Sequence, residues 1–247
     1  MLRSTKYLEK TVTIIDQTGN RARMSPVLRR KACRILAAVV LLAGAAPIFG
    51  DSITGGAVTG GSALAAGATF VDLSVPWGSV STPANTVGDV NFGTTDLYAF
   101  AEDQNYTLTS TLTAQVGATS IAAGTTVNSF FVTFEPGGNG YVLIGHVNFN
   151  APVLAIITSD GSLIASNFLG DGGINYEDPA AVGLEAGDSV TIDGSNPDQI
   201  DWDTSASTPG DSVRVILGSA TPEPSSVLLA GIGFVVAGTA LRRRILS

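Results

Sequence analysis

The 247-residue chain contains one Cys and one His, and its central part has almost no positive charge. Residues 35–241 carry 19 acidic residues and a single basic one, Arg214. Nucleic-acid-binding surfaces neutralise phosphates with clustered Lys and Arg, so this composition excludes nucleic acid as a partner of the central region. One Cys cannot form an intramolecular disulfide, and one Cys with one His cannot build a thiolate zinc site.

The scarcity of His and Cys also limits catalysis. A Ser or Cys nucleophile needs a positioned base, commonly His. The only candidate is His146, and strand alternation places it on the face opposite Val147 and Phe149, as an exposed or hydrogen-bonded strand residue. We therefore expect no enzymatic activity. A hydrolase built on paired carboxylates stays open, because such pairs cannot be located from the sequence.

The N-terminal 50 residues have the order of charges typical of a secretory signal. Four basic residues, Arg29, Arg30, Lys31 and Arg34, precede the apolar run 35–46, which ends in small residues. A helix over this run would rise only about 18 Å, short of the roughly 30 Å of a bilayer core. We predict a signal peptide region over residues 1–50, with processing between about residues 45 and 50 and a possible true start at Met24. The alternative is a buried core helix.

The next segment, residues 51–67, is rich in Gly and Ala and has few large apolar residues. Such a segment buries too little surface to offset the entropy of ordering the chain. We therefore predict a flexible linker here, followed by an exported domain over residues 68–220.

Short strand patterns fill this domain. Residues 106–114 alternate Thr with mostly apolar positions, as in a strand with one solvated face. Asp160-Gly161 predicts a hairpin, and residues 137–140 predict a turn between two apolar strands. Eight to ten such strands without a helical period indicate an all-β fold, an antiparallel sandwich or jelly roll.

The C-terminus carries a second apolar segment. Residues 227–241 are apolar, Gly or Thr, and Arg242, Arg243 and Arg244 follow. Counted from Ser225, the run is at the lower limit for a membrane-spanning helix. The Arg cluster favours a cytoplasmic C-terminal end, as do the basic residues before the signal. We expect a single transmembrane helix that anchors a precursor in the inner membrane, with the domain between the two apolar ends outside it.

Pro222, Glu223 and Pro224 stand directly before that helix. This tripeptide, the apolar span and the terminal Arg cluster together resemble the PEP-CTERM sorting signal, over residues 221–247. The resemblance implies a membrane enzyme, the exosortase, that recognises the tripeptide and removes the tail. It also implies delivery to the cell surface or exopolysaccharide matrix of a Gram-negative type of bacterium. The alternative is an ordinary tail anchor with a Pro-rich hinge.

Acidic loops are the remaining candidate site. Residues 193–203 are acidic and contain Gly and Pro, and carboxylate and carbonyl oxygens of such a loop suit Ca²⁺. The predicted metal ligands are Asp193, Asp198, Asp201 and Asp203. A second acidic loop contains Asp171, Glu177 and Asp178. The alternative for both loops is a set of solvated turn residues. The spacing fits no EF-hand, and we expect no other cofactor.

Three aromatic residues, Trp77, Tyr176 and Trp202, could form a platform for sugar stacking, but packing in the core is the expected role. The sequence thus favours a non-enzymatic, structural or interaction protein of the cell envelope or exopolysaccharide matrix. The alternatives are a carbohydrate-binding or adhesive surface module, stabilised by Ca²⁺ or not, and a surface hydrolase.

Overall fold

The computed structural model describes residues 52–218, except 139 and 179, and two short strands nearer the N-terminus. Those two strands, β1 (Ile14–Ile15) and β2 (Arg21–Ala22), pair antiparallel. The predicted signal segment and the predicted transmembrane helix lie outside the described residues. Within the described part, no helix has the length and apolarity needed to cross a membrane.

Residues 49–220 form one compact unit, in which strands predominate. Its strands are β3 (Ile53–Gly60), β4 (Phe70–Leu73), β5 (Thr86–Val87), β6 (Leu97–Ala101), β7 (Tyr106–Thr107), β8 (Leu112–Thr113), β9 (Val116–Gly117), β10 (Ser120–Ile121), β11 (Thr126–Phe134), β12 (Tyr141–Phe149), β13 (Val153–Ile157), β14 (Asn175–Tyr176), β15 (Ser189–Ile192), β16 (Gln199–Ala206) and β17 (Asp211–Gly218). Its helices are α1 (Gly61–Ala65) and α2 (Asp160–Ala165), with 3-10 turns at Gly78–Val80 and Asn167–Leu169. The prediction of a β-rich domain is confirmed.

Most strands belong to two sheets. The larger has seven strands in the order β4-β6-β11-β17-β13-β9, with β7 also paired to β11. The smaller has four strands in the order β15-β16-β12-β3. Alternate residues of both sheets meet in one apolar cluster, which contains Phe130, Val215, Leu143 and Trp202. Burial of this shared cluster stabilises the fold.

The larger sheet is also covered on its other face. A second apolar cluster joins Phe100, Phe131 and Ile216 of this sheet to buried residues of the short strands and loops, such as Trp77 and Leu163. Strands buried on both faces need mostly apolar residues; β11 has Phe130 to Val132 at its centre, and β17 has Val213 to Leu217, interrupted only by Arg214. β17 lies between β11 and β13.

Several local predictions were wrong. The sheets are not wholly antiparallel, because β4 pairs parallel with β6 and β5 with β14. Asp160-Gly161 begins helix α2 instead of a hairpin turn, since Leu163 is buried and Asp160 Oδ1 accepts a hydrogen bond from Gly183 N at 2.7 Å. Residues 106–114 form two short strands instead of one, because β7 pairs with β11 whereas β8 pairs with β10.

The prediction of a flexible linker over residues 51–67 was also wrong, because β3 and α1 lie there. β3 pairs with β12 along most of its length. Its small residues permit close packing: a Cβ on Gly56 would stand 2.7 Å from both the Phe70 ring and His146 O. The strand is therefore held by backbone pairing and close approach, with little apolar side-chain burial of its own.

The first and last described residues of this unit lie at one end of it. Ser52 and Asn150 exchange hydrogen bonds, Ser52 N to Asn150 Oδ1 at 2.9 Å and Asn150 N to Ser52 O at 3.0 Å. Three residues further along, Val153 pairs with Leu217 of β17, and Gly218 pairs with Val127 at the start of β11. We call this end the terminal pole; it comprises Ser52, residues 122–127, residues 150–154, the turn at 197–198, and Gly218.

Candidate functional site

The single Arg of the domain is buried in the larger sheet. Arg214 lies on β17, where alternation turns it toward the second apolar cluster, and its exposed fraction is 0%. Its guanidinium binds Glu102 in a bidentate pair, with Nε to Oε2 at 2.7 Å and an Nη to Oε1 at 2.8 Å. Ser129 Oγ donates a third hydrogen bond to Glu102 at 2.6 Å.

The rest of the guanidinium is also occupied. It donates to Leu163 O at 3.2 Å and to Ser166 Oγ at 2.5 Å, and the rings of Phe131 and Tyr176 lie within 6 Å of it. Burial alone would lower the pKa of Arg214, but the charge and hydrogen bonds of Glu102 outweigh it and raise the pKa. Burial and the Glu102 charge raise the pKa of the Tyr176 hydroxyl. Arg214 is therefore a cation tying β6, β17 and α2 together.

A cleft of about 330 Å³ lies beside this network. Residues from β3, β4, β6 and β11 line it, together with Asp171. Three acidic residues line it, Asp72, Glu102 and Asp171, and the side chain of Glu102 is fully buried. Burial raises the pKa of Asp72, and burial together with the charges of Asp171 and Glu102 raises that of neighbouring Asp103. The cleft is therefore acidic, with Glu102 already neutralised by Arg214.

A second buried carboxyl group lies at the end of β11. Glu135 is fully buried and faces no cation within the described residues. Its oxygens accept hydrogen bonds from Gly88 N at 2.7 Å, Asn91 N at 3.1 Å and Thr133 Oγ1 at 3.0 Å. Burial raises the pKa of Glu135 to about 8, although these hydrogen bonds act to lower it. The carboxylate fixes the loop of residues 88–92 against β11.

A third buried carboxyl group stands on the neighbouring strand. Asp211 pairs across the sheet with Phe134, is 2% exposed, and its Oδ2 has no hydrogen-bond partner. Burial raises the pKa of Asp211 to about 7, and the charges of Asp188 and Glu185 add to this increase. A buried, unpaired carboxylate oxygen is costly, so this group destabilises the fold once it ionises.

The four predicted metal ligands are distributed over a strand end, a turn and a sheet face. Asp193 Oδ1 accepts hydrogen bonds from Ser195 N at 2.7 Å and Ser195 Oγ at 2.8 Å, so this carboxylate closes its own turn. Asp198 lies in the turn before β16, and Asp201 and Asp203 are exposed on β16. Nowhere in residues 52–218, with 139 and 179 left aside, do three His, Cys, Asp or Glu side chains form a group able to hold a metal ion. The Ca²⁺ site stays a prediction.

The acidic residues of the second loop have different surroundings in the structure. Asp171 lines the cleft, whereas Glu177 accepts hydrogen bonds from Asn91 and Asn175 side chains at 3.2 and 3.1 Å. His146 lies half-buried on β12 opposite Asp201.

All three aromatic candidates for a sugar platform pack inside the domain. Trp77 and Trp202 are buried, and the Tyr176 ring meets Phe131 with centroids 5.4 Å apart. Core packing was the expected role, and it is confirmed.

Sequence reasoning missed Glu102, Glu135 and Asp211. Nothing in the sequence separates these carboxylates from the other acids of the domain. Arg214 did have a signal, because it is a lone cation inside the apolar run Val213 to Leu217. Such a residue needs an anionic partner when the strand is buried, although the sequence does not say which one.

The predicted sorting residues lie beyond Gly218, outside the described part of the chain. Residues 220–244 match the family model of the PEP-CTERM protein-sorting motif, and the match includes Pro222, Glu223, Pro224 and Arg242 to Arg244. The chain carries a PEP-CTERM sorting signal. This signal is the type that an exosortase recognises, and it marks a secreted protein that crosses the membrane to the cell surface or extracellular space. No match to the chain was found among curated proteins or among solved structures.

Proposed function

We propose that this chain is a non-enzymatic, structural or interaction protein of the cell envelope or exopolysaccharide matrix. The observation that carries the proposal is the PEP-CTERM match over residues 220–244. In this proposal a signal peptide starts export, a C-terminal helix holds the precursor in the inner membrane, and an exosortase removes that tail. The body is then a two-layer β-sandwich, which the apolar cluster shared by the two sheets supports.

The geometry of the body favours a non-enzymatic role. His146 lies on the outer face of the smaller sheet, and Arg214 is saturated by Glu102, backbone and hydroxyl partners. The Arg214 guanidinium does hydrogen-bond Ser166 Oγ, but it cannot take a proton and so cannot act as the base that nucleophilic catalysis requires. We expect the released protein to show no turnover of polysaccharide, ester or peptide substrates. Turnover that disappears on replacing one carboxylate, with the fold intact, would overturn this.

The sorting step is tested on the full precursor. Glu223→Gln keeps the apolar segment but removes the charge of the tripeptide, so the precursor should accumulate in the inner membrane. Glu185→Gln, an exposed acid of the body, is the matched control and should be processed normally. Intact-mass analysis of surface material gives the readout. A surface protein that still carries residues 230–247 would favour a plain membrane anchor.

A second candidate function is binding of a polar carbohydrate. The acidic cleft of about 330 Å³ is of a size used for small ligands, and carboxylates can accept hydrogen bonds from sugar hydroxyls. A glycan array with the released protein tests it. A sugar bound by the wild type and lost in Asp72→Asn or Asp171→Asn would promote this function over a purely structural role.

A further inference from the structure

The first and last described residues of the domain, Ser52 and Gly218, both lie at the terminal pole. The segment of residues 150–154 contacts both, through the Ser52–Asn150 hydrogen bonds and the pairing of Val153 with Leu217. The predicted signal cleavage lies a few residues before Ser52, and the sorting signal begins just after Gly218. In the proposed precursor, the predicted signal segment and the predicted transmembrane segment therefore both connect to the domain at this pole.

The distance from the fold to the sorting tripeptide is short. Only residues 219–221 separate Gly218 from Pro222, and four Cα–Cα steps span at most about 14 Å. Gly218 belongs to β17, which is held between β11 and β13. A membrane enzyme that acts near Pro222 therefore works directly against the terminal pole of the folded domain.

The part of the terminal pole that belongs to the larger sheet is uncharged. No Asp, Glu, Lys or Arg occurs from Gln104 to Phe134, a stretch that includes β7, β9 and the turn before β11. Ala122 and Ala123 of that turn are exposed, and Thr107 and Thr126 form a hydroxyl hydrogen bond at 3.1 Å beside it. In a strongly acidic domain, such an uncharged surface can be covered by another protein without burying unpaired charge.

We propose that the uncharged side of the terminal pole is a docking surface for the membrane-bound sorting enzyme. The inference rests on the proposed function, because it assumes that such an enzyme processes this chain. The partner is a protein whose outward face is close to the membrane and complementary to a small, uncharged turn. Docking raises the local concentration of the tripeptide at the active site and makes the folded domain part of the substrate.

The first test introduces charge on the pole. Full-length precursor is expressed with its sorting enzyme, and C-terminal processing is followed by pulse–chase and intact mass. Ala123→Asp should slow processing roughly threefold or more, because the new carboxylate must be desolvated at the contact. Ser207→Asp, at the exposed end of β16 remote from Gly218, is the matched control and should be processed like the wild type.

Folding of the variant is checked separately. Ala123→Asp should keep the wild-type melting temperature, because the exposed Ala side chain makes no hydrogen bond; Ala122→Asp is the second variant if it does not. Equal processing rates for the wild type and a folded pole variant would overturn the proposal.

The second test separates docking from obstruction. A spacer of about 12 Gly and Ser residues after Gly218 keeps both signals but loosens the link between them. If the pole is a docking surface, the spacer slows processing and abolishes its sensitivity to Ala123→Asp. If the folded domain merely obstructs the enzyme, the spacer accelerates processing, and the proposal is wrong. Deletion of the sorting enzyme in the wild type tests the sorting function independently: continued processing there would refute that function and not the surface alone.

Discussion

The burial of Arg214 determines the charge of the domain surface. It carries the only Arg or Lys charge between residues 35 and 241, and the fold places that charge inside, against Glu102. The exterior of residues 52–218 is therefore left with acidic groups and one His. Because the pair is bidentate and its remaining donors are used, the desolvation of both ions is offset by hydrogen bonds.

Removing this cation should destabilise the domain strongly. Arg214→Met leaves Glu102 buried without a counter-ion, which costs about 3–5 kcal/mol in the free energy of unfolding. Urea denaturation of the released protein measures the loss. The double variant Arg214→Met with Glu102→Leu removes both charges and should be more stable than Arg214→Met alone. A single variant as stable as the wild type would contradict the structural role of the pair.

The two other buried carboxyls predict an unusual pH dependence. Burial raises the pKa of Glu135 from 4.5 to about 8 and that of Asp211 from 3.8 to about 7. At pH values between the ordinary pKa and the raised pKa of each group, the folded state binds more protons than the unfolded state. The free energy of unfolding therefore falls as the pH rises through this range. We expect a melting temperature at pH 5 that is about 5 °C or more above that at pH 8.5.

Asp211→Asn tests the origin of this effect. The amide cannot ionise, so the difference in melting temperature between pH 5 and pH 8.5 should become smaller. Asp203→Asn, an exposed acid on β16, is the control and should leave the difference unchanged. Stability that increases from pH 5 to pH 8.5 would show that both buried groups ionise without cost.

At the scale of elements, the close packing of β3 against β12 and Phe70 requires that Gly56 has no side chain. Gly56→Ala places a Cβ 2.7 Å from the Phe70 ring and from His146 O, so the strand must shift away from β12. We expect a loss of about 1–3 kcal/mol in the free energy of unfolding. Gly161→Ala is the matched control, because a Cβ there meets nothing within 4 Å and helix propensity improves. Equal stability of the two variants would mean that β3 is not packed as described.

The sequence predicted the elements whose own residues carry the pattern. β12 alternates buried and exposed residues, and β11 and β17 have apolar runs, so these three were visible. β16 alternates as well, but its first residues, 199–203, were predicted to belong to an acidic loop, so this strand was missed. β3 was missed because its ordering comes from pairing with β12, a contact about 90 residues distant in the chain. α2 was missed because buried Leu163 and the Asp160–Gly183 hydrogen bond override the turn preference of Asp-Gly.

The candidate sites also differ in whether the sequence alone could reveal them. The sorting signal is a linear motif, so the sequence was sufficient to find it. Glu135 became a site only through the backbone N–H groups of residues 88–92, which the fold brings to it. Asp193 and Asp201 both accept a hydrogen bond from Gln199 Nε2, at 3.4 and 2.7 Å. Asp193 also closes its own turn through Ser195.

At the scale of the whole molecule, net charge governs the response to ions. The acidic groups of the released body repel one another, and salt should relieve that repulsion. If screening alone acts, about 1 mM CaCl₂ and NaCl of equal ionic strength raise the melting temperature equally. A larger effect of Ca²⁺, abolished by Asp201→Asn with Asp203→Asn, would reveal a specific site.

The position of β17 determines when the larger sheet can be completed during export. β17 is the last strand of the domain, yet it fills the centre of the seven-stranded sheet. Until residue 218 has crossed the membrane, β11 and β13 lack their common neighbour and expose unpaired backbone edges. Only residues 219–226 separate this strand from the apolar segment that follows. An exported chain truncated before Asp211 would thus be a substrate for proteases or aggregation, whereas the intact chain completes its sheet as the sorting signal arrives.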